Sequence, residues 1–355
     1  MRRVLSIIVL LALMAGFGVG VNRLIASRKH TIPTEATVFS PTATRPKVVL
    51  PGTLYLAQNG DIYRLSDGFF TDLHLPKTSG SWMQPAYIPN SQNIVAVLRA
   101  ALYSNLYLLS SQGSIIRRLS NNEWTRNNQI FRNHWMFYPH TGADGNAIYF
   151  SYDQPKNSST YAVDFSVWSG ALNGKLATTQ VSNSNPFTGG DVDPTPMANG
   201  AVIYSKFAIG SGNAYSVISI QTKPLGRPVT LTTPAQDCGQ PAPSPDGTKV
   251  AMICVGGTGL QSTRLEVATL SAGKLGPPQT VVNNCLCAYP EWAPDGSGLV
   301  YYNTADATGH FELWWIKGAL SAAPSPPLQV TTNLDFDASS PPSWSPLSSV
   351  PVMAR

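Results

Sequence analysis

The sequence predicts an all-β fold, a six-bladed β-propeller with four-stranded blades, preceded by one N-terminal transmembrane helix or signal anchor. Three observations carry this reading. A fifteen-residue pattern recurs about every fifty residues, each period has room for four short strands, and a charge-free run of eighteen residues opens the chain. The six copies are QPAYIPNSQNIVAVL (84–98), YPHTGADGNAIYFSY (138–152), DPTPMANGAVIYSKF (193–207), QPAPSPDGTKVAMIC (240–254), YPEWAPDGSGLVYYN (289–303) and PPSWSPLSSVPVMAR (341–355). Their second-position prolines, Pro85, Pro139, Pro194, Pro241, Pro290 and Pro342, are spaced by 54, 55, 47, 49 and 52 residues. Such a period is that of propeller blades.

Each copy has the chemistry of a hairpin. A short strand opens with proline, which lacks an N–H and is tolerated at a strand's first residue. A tight turn follows at Asp144-Gly145, Asn199-Gly200, Asp246-Gly247 or Asp295-Gly296, where glycine and Asx residues take the conformations the turn demands. An apolar strand comes next, as at Ile94 to Val97 or Val202 to Tyr204. Two further strands fit between copies: Tyr103 to Leu109 with Ile115 to Leu119 in one unit, and Leu265 to Leu270 with Gln279 to Val282 in another.

On these residues the chain resembles the TolB-like propeller repeats, whose pattern is a proline, an aromatic, Ser-Pro-Asp-Gly and a β-rich run. Ser244-Pro245-Asp246-Gly247 and Trp292-Ala293-Pro294-Asp295-Gly296 match it most closely. Pro89-Asn90-Ser91 and Pro346-Leu347-Ser348 depart from it. A second signature precedes several copies, in Arg118-Leu119-Ser120, Thr230-Leu231-Thr232 and Gln329-Val330-Thr331-Thr332, each ending an outermost strand. The resemblance covers roughly residues 51 to 355 and implies a fold. It implies an interaction platform only in general terms, because one fold hosts many functions.

Gly52 to Leu75 already reads as strands, so the first blade lacks an inner strand, which Ser343-Trp344-Ser345 is expected to supply. Closure by the two chain ends protects a propeller's edges. Leu54 to Leu56 and Val350 to Met353 compete for the second strand of that blade, and the N-terminal segment is the expected one.

The organisation is then an anchor at 1–30, a Thr/Pro-rich linker at 31–50 and the propeller at 51–355. Val4 to Val21 is long enough to span a bilayer and exceeds the core of most cleavable signals. An uncleaved signal anchor is expected, with a secreted product as the alternative if the segment is cleaved. Seven of the 24 Lys and Arg but one of the 19 acidic residues fall within 1–50, leaving 17 basic against 18 acidic from residue 51 onward. The propeller is therefore close to neutral and lacks the footprint of a nucleic-acid binder.

Four cysteines, Cys238, Cys254, Cys285 and Cys287, cluster late in an apparently exported chain, which favours two disulfides among three possible connectivities. Hairpin register places Cys238 opposite Cys254. Cys-Leu-Cys is tighter than the usual zinc knuckle; reduced thiols are the other alternative, and no metal or other cofactor is expected.

Loops after the second and fourth strands are long and share one face, the expected seat of function. The richest runs from Asn121 to Tyr138 and holds Trp124, Arg126, Phe131, Arg132, His134, Trp135 and Tyr138. Aromatics and arginine dominate binding energy at interfaces. Trp135 and Phe137 also suit packing between blades, whereas Trp124, Arg126 and Arg132 have polar neighbours. Asp191, Asp193, Asp237 and Asp335, together with Glu291 and Asp337, lead into or lie on inner strands. At a channel mouth they would hold a cation or an amine; solvated loop carboxylates are the plainer reading. No G-x-S-x-G motif occurs, so no serine-hydrolase nucleophile elbow is present, and no catalytic residue is assigned. The expectation is a monomeric, membrane-anchored extracytoplasmic propeller, at the cell surface or in a periplasm, that binds a protein or cell-envelope glycan without catalysis. A carbohydrate-active lyase or glycosidase and a sensory ectodomain for a small ligand are the alternatives.

Overall fold

The computed structural model describes residues 48–124, 129–154, 163–174, 176–210, 212–256, 262–305, 309–319, 321 and 324–346. The anchor, nearly all of the linker, Arg126 and Val350 to Met353 lie outside the described residues. Six antiparallel sheets make six blades. From the inner strand outward, the first blade is Ser343–Ser345, Thr53–Gln58, Asp61–Ser66 and Phe69–Asp72; the second is Ser81–Tyr87, Asn93–Arg99, Ser104–Ser110 and Ile115–Arg118. The third is Met136–Thr141, Ala147–Tyr152, Ser166–Ala171 and Thr178–Gln180, and the fourth is Asp191–Pro196, Val202–Gly210, Asn213–Gln221 and Val229–Thr230. The fifth is Cys238–Pro243, Lys249–Val255 and Thr263–Ser271, with both Lys274–Leu275 and Gln279–Cys285 pairing on the last of these. The sixth is Ala288–Trp292, Gly298–Thr304, Phe311–Lys317 and Leu328–Gln329.

Pro342 directly precedes its strand, as expected, but the other five prolines do not open theirs. They lie inside them. The register slips between Met83 and Ala86, Phe137 and His140, Val192 and Thr195, Gly239 and Ala242, and Ala288 and Glu291, so each proline sits in a β-bulge. An innermost strand has one free edge facing the channel, and a residue without an N–H there forfeits no ladder hydrogen bond.

The turns follow the expected chemistry. Gly145, Gly200, Gly247 and Gly296 have φ between 68° and 82°, and the preceding Asx side chain accepts from the N–H two residues on at 2.9–3.0 Å. A Cβ at Gly145 would lie 2.3 Å from the Pro89 carbonyl oxygen of the neighbouring blade, so this turn also sets how closely two blades approach. In the departing copy Asn90 takes φ 60° and the Ser91 hydroxyl accepts from Asn93 N–H at 3.0 Å.

The second signature is a strand terminator. Its aliphatic N–H donates to a carbonyl of the third strand, in the pairs Leu119–Leu106, Val181–Val167, Leu231–Ile218 and Val330–Leu313, each at 2.8 Å. The following hydroxyl, of Ser120, Ser182, Thr232 or Thr331, accepts the N–H of that same third-strand residue at 2.9 Å. A hydroxyl thus replaces the backbone where the outer strand turns away.

Closure is as expected. Thr53, Leu54 and Tyr55 pair with Ser345, Trp344 and Ser343. The same C-terminal segment grips the second blade, where Gln84 N–H and Tyr87 N–H donate to the Ser340 and Ser343 hydroxyls at 2.6 and 2.8 Å. Aliphatic clusters fill the other seams. Between the sixth and first blades aromatic contacts take over, with Trp315 against Trp344 at 5.7 Å and Tyr302 against Phe336 at 5.6 Å. Cys238 and Cys254 face each other in the ladder and form one disulfide; Cys285 and Cys287 form the second. The two lie in different seams, toward the fourth and sixth blades respectively.

Removing residues 340–355 should open the first blade and expose the Trp315 seam, lowering the melting temperature by more than 10 °C. A truncated chain melting with the full one would contradict closure. Replacing Cys238 and Cys254 with alanine should cost about 3 kcal/mol, the loop-entropy value for a closed loop of this length, as read by denaturant unfolding.

Candidate functional site

The face on which the inner strands begin carries the long loops and, among the described residues, the two cavities considered below. The larger, about 530 Å³, lies over the seams of the sixth, first and second blades, between Gly60, Gly80, Met83, Arg99, Asp335 and Asp337. The smaller, about 440 Å³, lies between the Asn121–His134 loop and Tyr152 and Gln154 of the third blade.

The smaller pocket gathers four of the sequence-selected residues, Trp124, Phe131, Arg132 and His134. A short 3₁₀ turn, Ile130–Arg132, presents the arginine. Its guanidinium lies 4.7 Å from the Trp124 ring centroid and 5.8 Å from that of Phe131. Stacking of this kind holds a guanidinium flat while leaving its in-plane N–H groups for a ligand. Trp124 is 37% exposed. The pocket wall is rigid where the loop meets the sheet. The Asn133 side chain accepts Trp124 N–H at 2.7 Å, and the buried Asp153 carboxylate binds His134 Nδ1 at 2.9 Å and accepts Trp135 N–H at 3.1 Å. Gln154 Nε2 lies 3.3 Å from His134 Nε2. Trp135 is half-buried and stacks on Phe137 at 5.8 Å, the packing alternative the sequence allowed. Sequence reading did not single out Tyr152, Asp153 and Gln154; their signal was the hairpin register, which sets Tyr152 opposite Met136. Phe187, 72% exposed, was also missed; its loop hangs on the Asp164 carboxylate, which accepts the N–H groups of Phe187, Thr188 and Gly189 at 2.7–3.0 Å.

Tyr138 is placed elsewhere, on the propeller axis. The residue before the inner-strand proline has positive φ in five blades: Gln84 51°, Tyr138 54°, Asp193 53°, Gln240 53° and Tyr289 46°. Tyr138 and Tyr289 come from opposite blades, and their rings lie 6.4 Å apart, which is possible only across the channel. The side-chain oxygens of Gln84 and Gln240 accept the N–H groups of Tyr138 and Tyr289 at 2.7 and 2.8 Å. Asp193, 7% exposed, completes this layer. Its Oδ2 accepts from the Ser205 hydroxyl at 3.4 Å, and the carboxyl also meets the Tyr289 hydroxyl. Burial raises its pKa from 3.8 to about 7 against the Ser205 and Tyr289 hydroxyls. The residues after the prolines include His140, lowered by burial while its Nδ1 meets the Pro194 carbonyl at 2.8 Å, and Glu291, raised by burial from 4.5 to about 8.

The four aspartates selected for the channel mouth do not form one ring. Asp191 is buried in an ion pair with Lys206 at 3.0 Å and accepts from the Ser182 hydroxyl at 2.5 Å. Asp237, just before the fifth blade's inner strand, caps the third strand of the fourth blade, accepting Ser216 N–H at 2.7 Å. Asp335 lies at the rim of the larger cavity beside Asp337, and Asp193 lies on the axis. The metal alternative for the cysteines reduces to Cys238, Cys254 and Glu266, whose ligand atoms lie within 4.8 Å of one another. The two sulfurs share a disulfide bond, and a disulfide lacks the thiolates that zinc takes.

A six-bladed propeller with a plugged axis and one loop-bearing face is the class defined by this geometry. No family model matches the chain, and no curated protein matches it. Among solved structures it is similar to TolB from Acinetobacter baumannii, with 15% identity, a TM-score of 0.61 and coverage of 83% of this chain and 67% of that one. It is also similar to a putative TolB from Agrobacterium tumefaciens, with 13% identity, a TM-score of 0.55 and coverage of 83% and 94%. A third likeness is to a chain of a nidogen–laminin complex, with 10% identity, a TM-score of 0.55 and coverage of 82% and 98%. The chain folds as a TolB-like propeller.

Asp193 and Glu291 make stability depend on pH. A carboxyl whose pKa is raised on folding binds its proton more tightly when native, so its contribution is complete at low pH and is lost as pH rises. The windows run from 3.8 to about 7 for Asp193 and from 4.5 to about 8 for Glu291. Stability should fall between pH 5 and pH 8, and Asp193→Asn with Glu291→Gln should flatten that fall by on the order of 2 kcal/mol. Parallel curves for variant and parent would show that neither carboxyl titrates as described.

Proposed function

We propose that this chain is an extracytoplasmic binding module, held to a membrane through Val4 to Val21, whose pocket between the Asn121–His134 loop and Gln154 engages a protein or a cell-envelope glycan. The observation that carries the reading is the exposed Trp124 with Arg132 stacked on it, presented beside the His134–Asp153 pair. Binding energy concentrates in such aromatic and arginine anchors when the surrounding frame is already ordered. The two disulfides fit an oxidising compartment. A chain of similar fold occurs in a nidogen–laminin complex, which favours a protein partner.

The second reading is a carbohydrate-active enzyme. Its support is one arrangement: a histidine held at Nδ1 by a buried carboxylate, with its ring at the edge of a pocket that also contains Glu123. An imidazole so anchored suits general-base work.

Replacing Trp124 and Arg132 with alanine in the full chain should change stability by less than about 0.5 kcal/mol each. Affinity for a partner crosslinked to the wild-type chain in its own membrane should fall about thirtyfold, or about 2 kcal/mol. A loss of several degrees in melting temperature would assign the loop to the core instead. Turnover of a glycan, lost in His134→Ala while binding persists, would select the enzyme.

A further inference from the structure

The aromatic pocket contains one charged side chain that the protein itself does not use. Arg132 closes its 3₁₀ turn by donating its backbone N–H to the Gln129 carbonyl at 2.9 Å, and its guanidinium lies over the Trp124 and Phe131 rings. Among the described residues no carboxylate, carbonyl or hydroxyl accepts from that guanidinium. Ring stacking fixes its plane and leaves its five N–H donors unspent.

The other polar groups lining the pocket are engaged. Asn122 Nδ2 donates to the Ser104 carbonyl at 2.7 Å, while its Oδ1 accepts from the Tyr152 hydroxyl at 3.3 Å. The Asn121 side-chain oxygen accepts from Arg118, and the Glu123 carboxylate bonds the Tyr103 hydroxyl. His134 is held at both ring nitrogens, by Asp153 at Nδ1 and by the Gln154 amide at Nε2. Arg132 is left as the charged group that can meet a ligand, and Trp124, Phe131 and Tyr152 give the same pocket an aromatic wall.

This distribution separates ligand classes. A sugar ring carries hydroxyls around its whole edge and needs several donors and acceptors, which side chains already engaged with the frame do not supply. A phosphate dianion is read by clustered arginines, whereas Arg132 shares its pocket with the Glu123 carboxylate. A carboxylate carries a single charge on two parallel acceptor oxygens, and one edge of a guanidinium meets that pair bidentately. One free arginine therefore matches one carboxylate.

We infer that the pocket recognises a carboxylate group of a peptide, bound through the open edge of Arg132 with its stem against the aromatic wall; this rests on the pocket being the binding site proposed above. A peptide C-terminus and an aspartate or glutamate side chain share this chemistry. Either one narrows the protein partner to a chain that presents an anion on an apolar stem.

Ligand-observed NMR titration on the full detergent-solubilised chain tests this. N-acetylphenylalanine stands for a C-terminus and the α-amide of N-acetylglutamate for an acidic side chain, each compared with its neutral carboxamide. Glucuronate and inorganic phosphate, the latter read by competition, represent the other two classes. The expected result is saturable binding of at least one peptide acid, with an affinity about tenfold or more above that of its carboxamide. Arg132→Lys keeps the charge but loses the fork and should cost about fivefold; Arg132→Gln should abolish the preference for acid over amide. Both changes are at an exposed side chain, so the variants should melt with the parent. Binding of the phenylalanine probe alone assigns a C-terminus, and binding of the glutamate probe assigns an acidic side chain. Absence of saturable binding by either acid, a preference for acid that persists in Arg132→Gln, or tighter binding of glucuronate or phosphate than of both acids would overturn the inference. Acid and amide that bind equally, and lose affinity together in Trp124→Ala, would overturn the carboxylate and leave the pocket standing. Probe binding indifferent to Trp124→Ala and Arg132→Gln alike would remove the pocket as well.

Discussion

The structure depends on one backbone constraint, the left-handed residue placed before proline in the inner strands. Each such residue costs conformational energy, and five blades carry one at the same place. The bulge bends the strand at the level where the sheets converge, and it turns one side chain per blade out of the seam and onto the axis. There Tyr138 and Tyr289 meet across the ring, from blades that share no seam. Glutamines at two of the positions cap the backbone N–H of the next left-handed residue, from Gln84 to Tyr138 and from Gln240 to Tyr289, so the strain of one blade is held in place by another. Aliphatic seams supply the burial that holds neighbouring blades together. The axial layer sets how the ring closes at its centre.

The inner strand of the first blade shows what happens without the bulge. Pro341 cannot take positive φ, and the closing strand Ser343–Ser345 is only three residues long. Its hydroxyls and those just before it take over the role. Ser340 and Ser343 accept the N–H groups of Gln84 and Tyr87 in the second blade, and Trp344 lies against Trp315 of the sixth. The closure therefore rests on side chains more than on ladder length. This is why a short C-terminal strand is enough to complete a ring begun at Thr53.

Much of the fold was legible because it is local. Asx-Gly turns fix hairpin register, and register alone set Cys238 opposite Cys254. The aliphatic-hydroxyl signature was visible as a recurrence, although its reason, a hydroxyl substituting for a ladder carbonyl, appears only in three dimensions. The axial plug was not legible. A residue before proline ordinarily prefers extended backbone, so Tyr138 read as part of the binding loop, Asp193 as a channel-mouth carboxylate, and Tyr289 was not singled out. Only the tertiary bulge turns them inward. The acidic residues near the inner strands likewise look alike in sequence, yet Asp191 meets Lys206, Asp237 caps a strand and Asp193 meets the Ser205 and Tyr289 hydroxyls. What separates them is the identity of the residue across the hairpin, which the fifteen-residue pattern does not constrain.

The inner strand of the third blade joins the aromatic pocket to the axial layer. His134 and Trp135 precede Met136–Thr141 at the aromatic pocket, and Tyr138 lies three residues inside the axial layer. At both ends the strand is pinned by charged or polar side chains from other segments: Asp153 at the pocket, Gln84 at the axis and the Pro194 carbonyl on His140. A displacement of the loop must move this strand against those three contacts, or else it is absorbed before Met136. The Ser104 hydroxyl, which donates to Met136 O and accepts Met136 N–H at 2.7 Å each, fixes the strand at that point. Met136 is therefore the first point at which the strand beyond the loop is held by both its backbone N–H and its carbonyl.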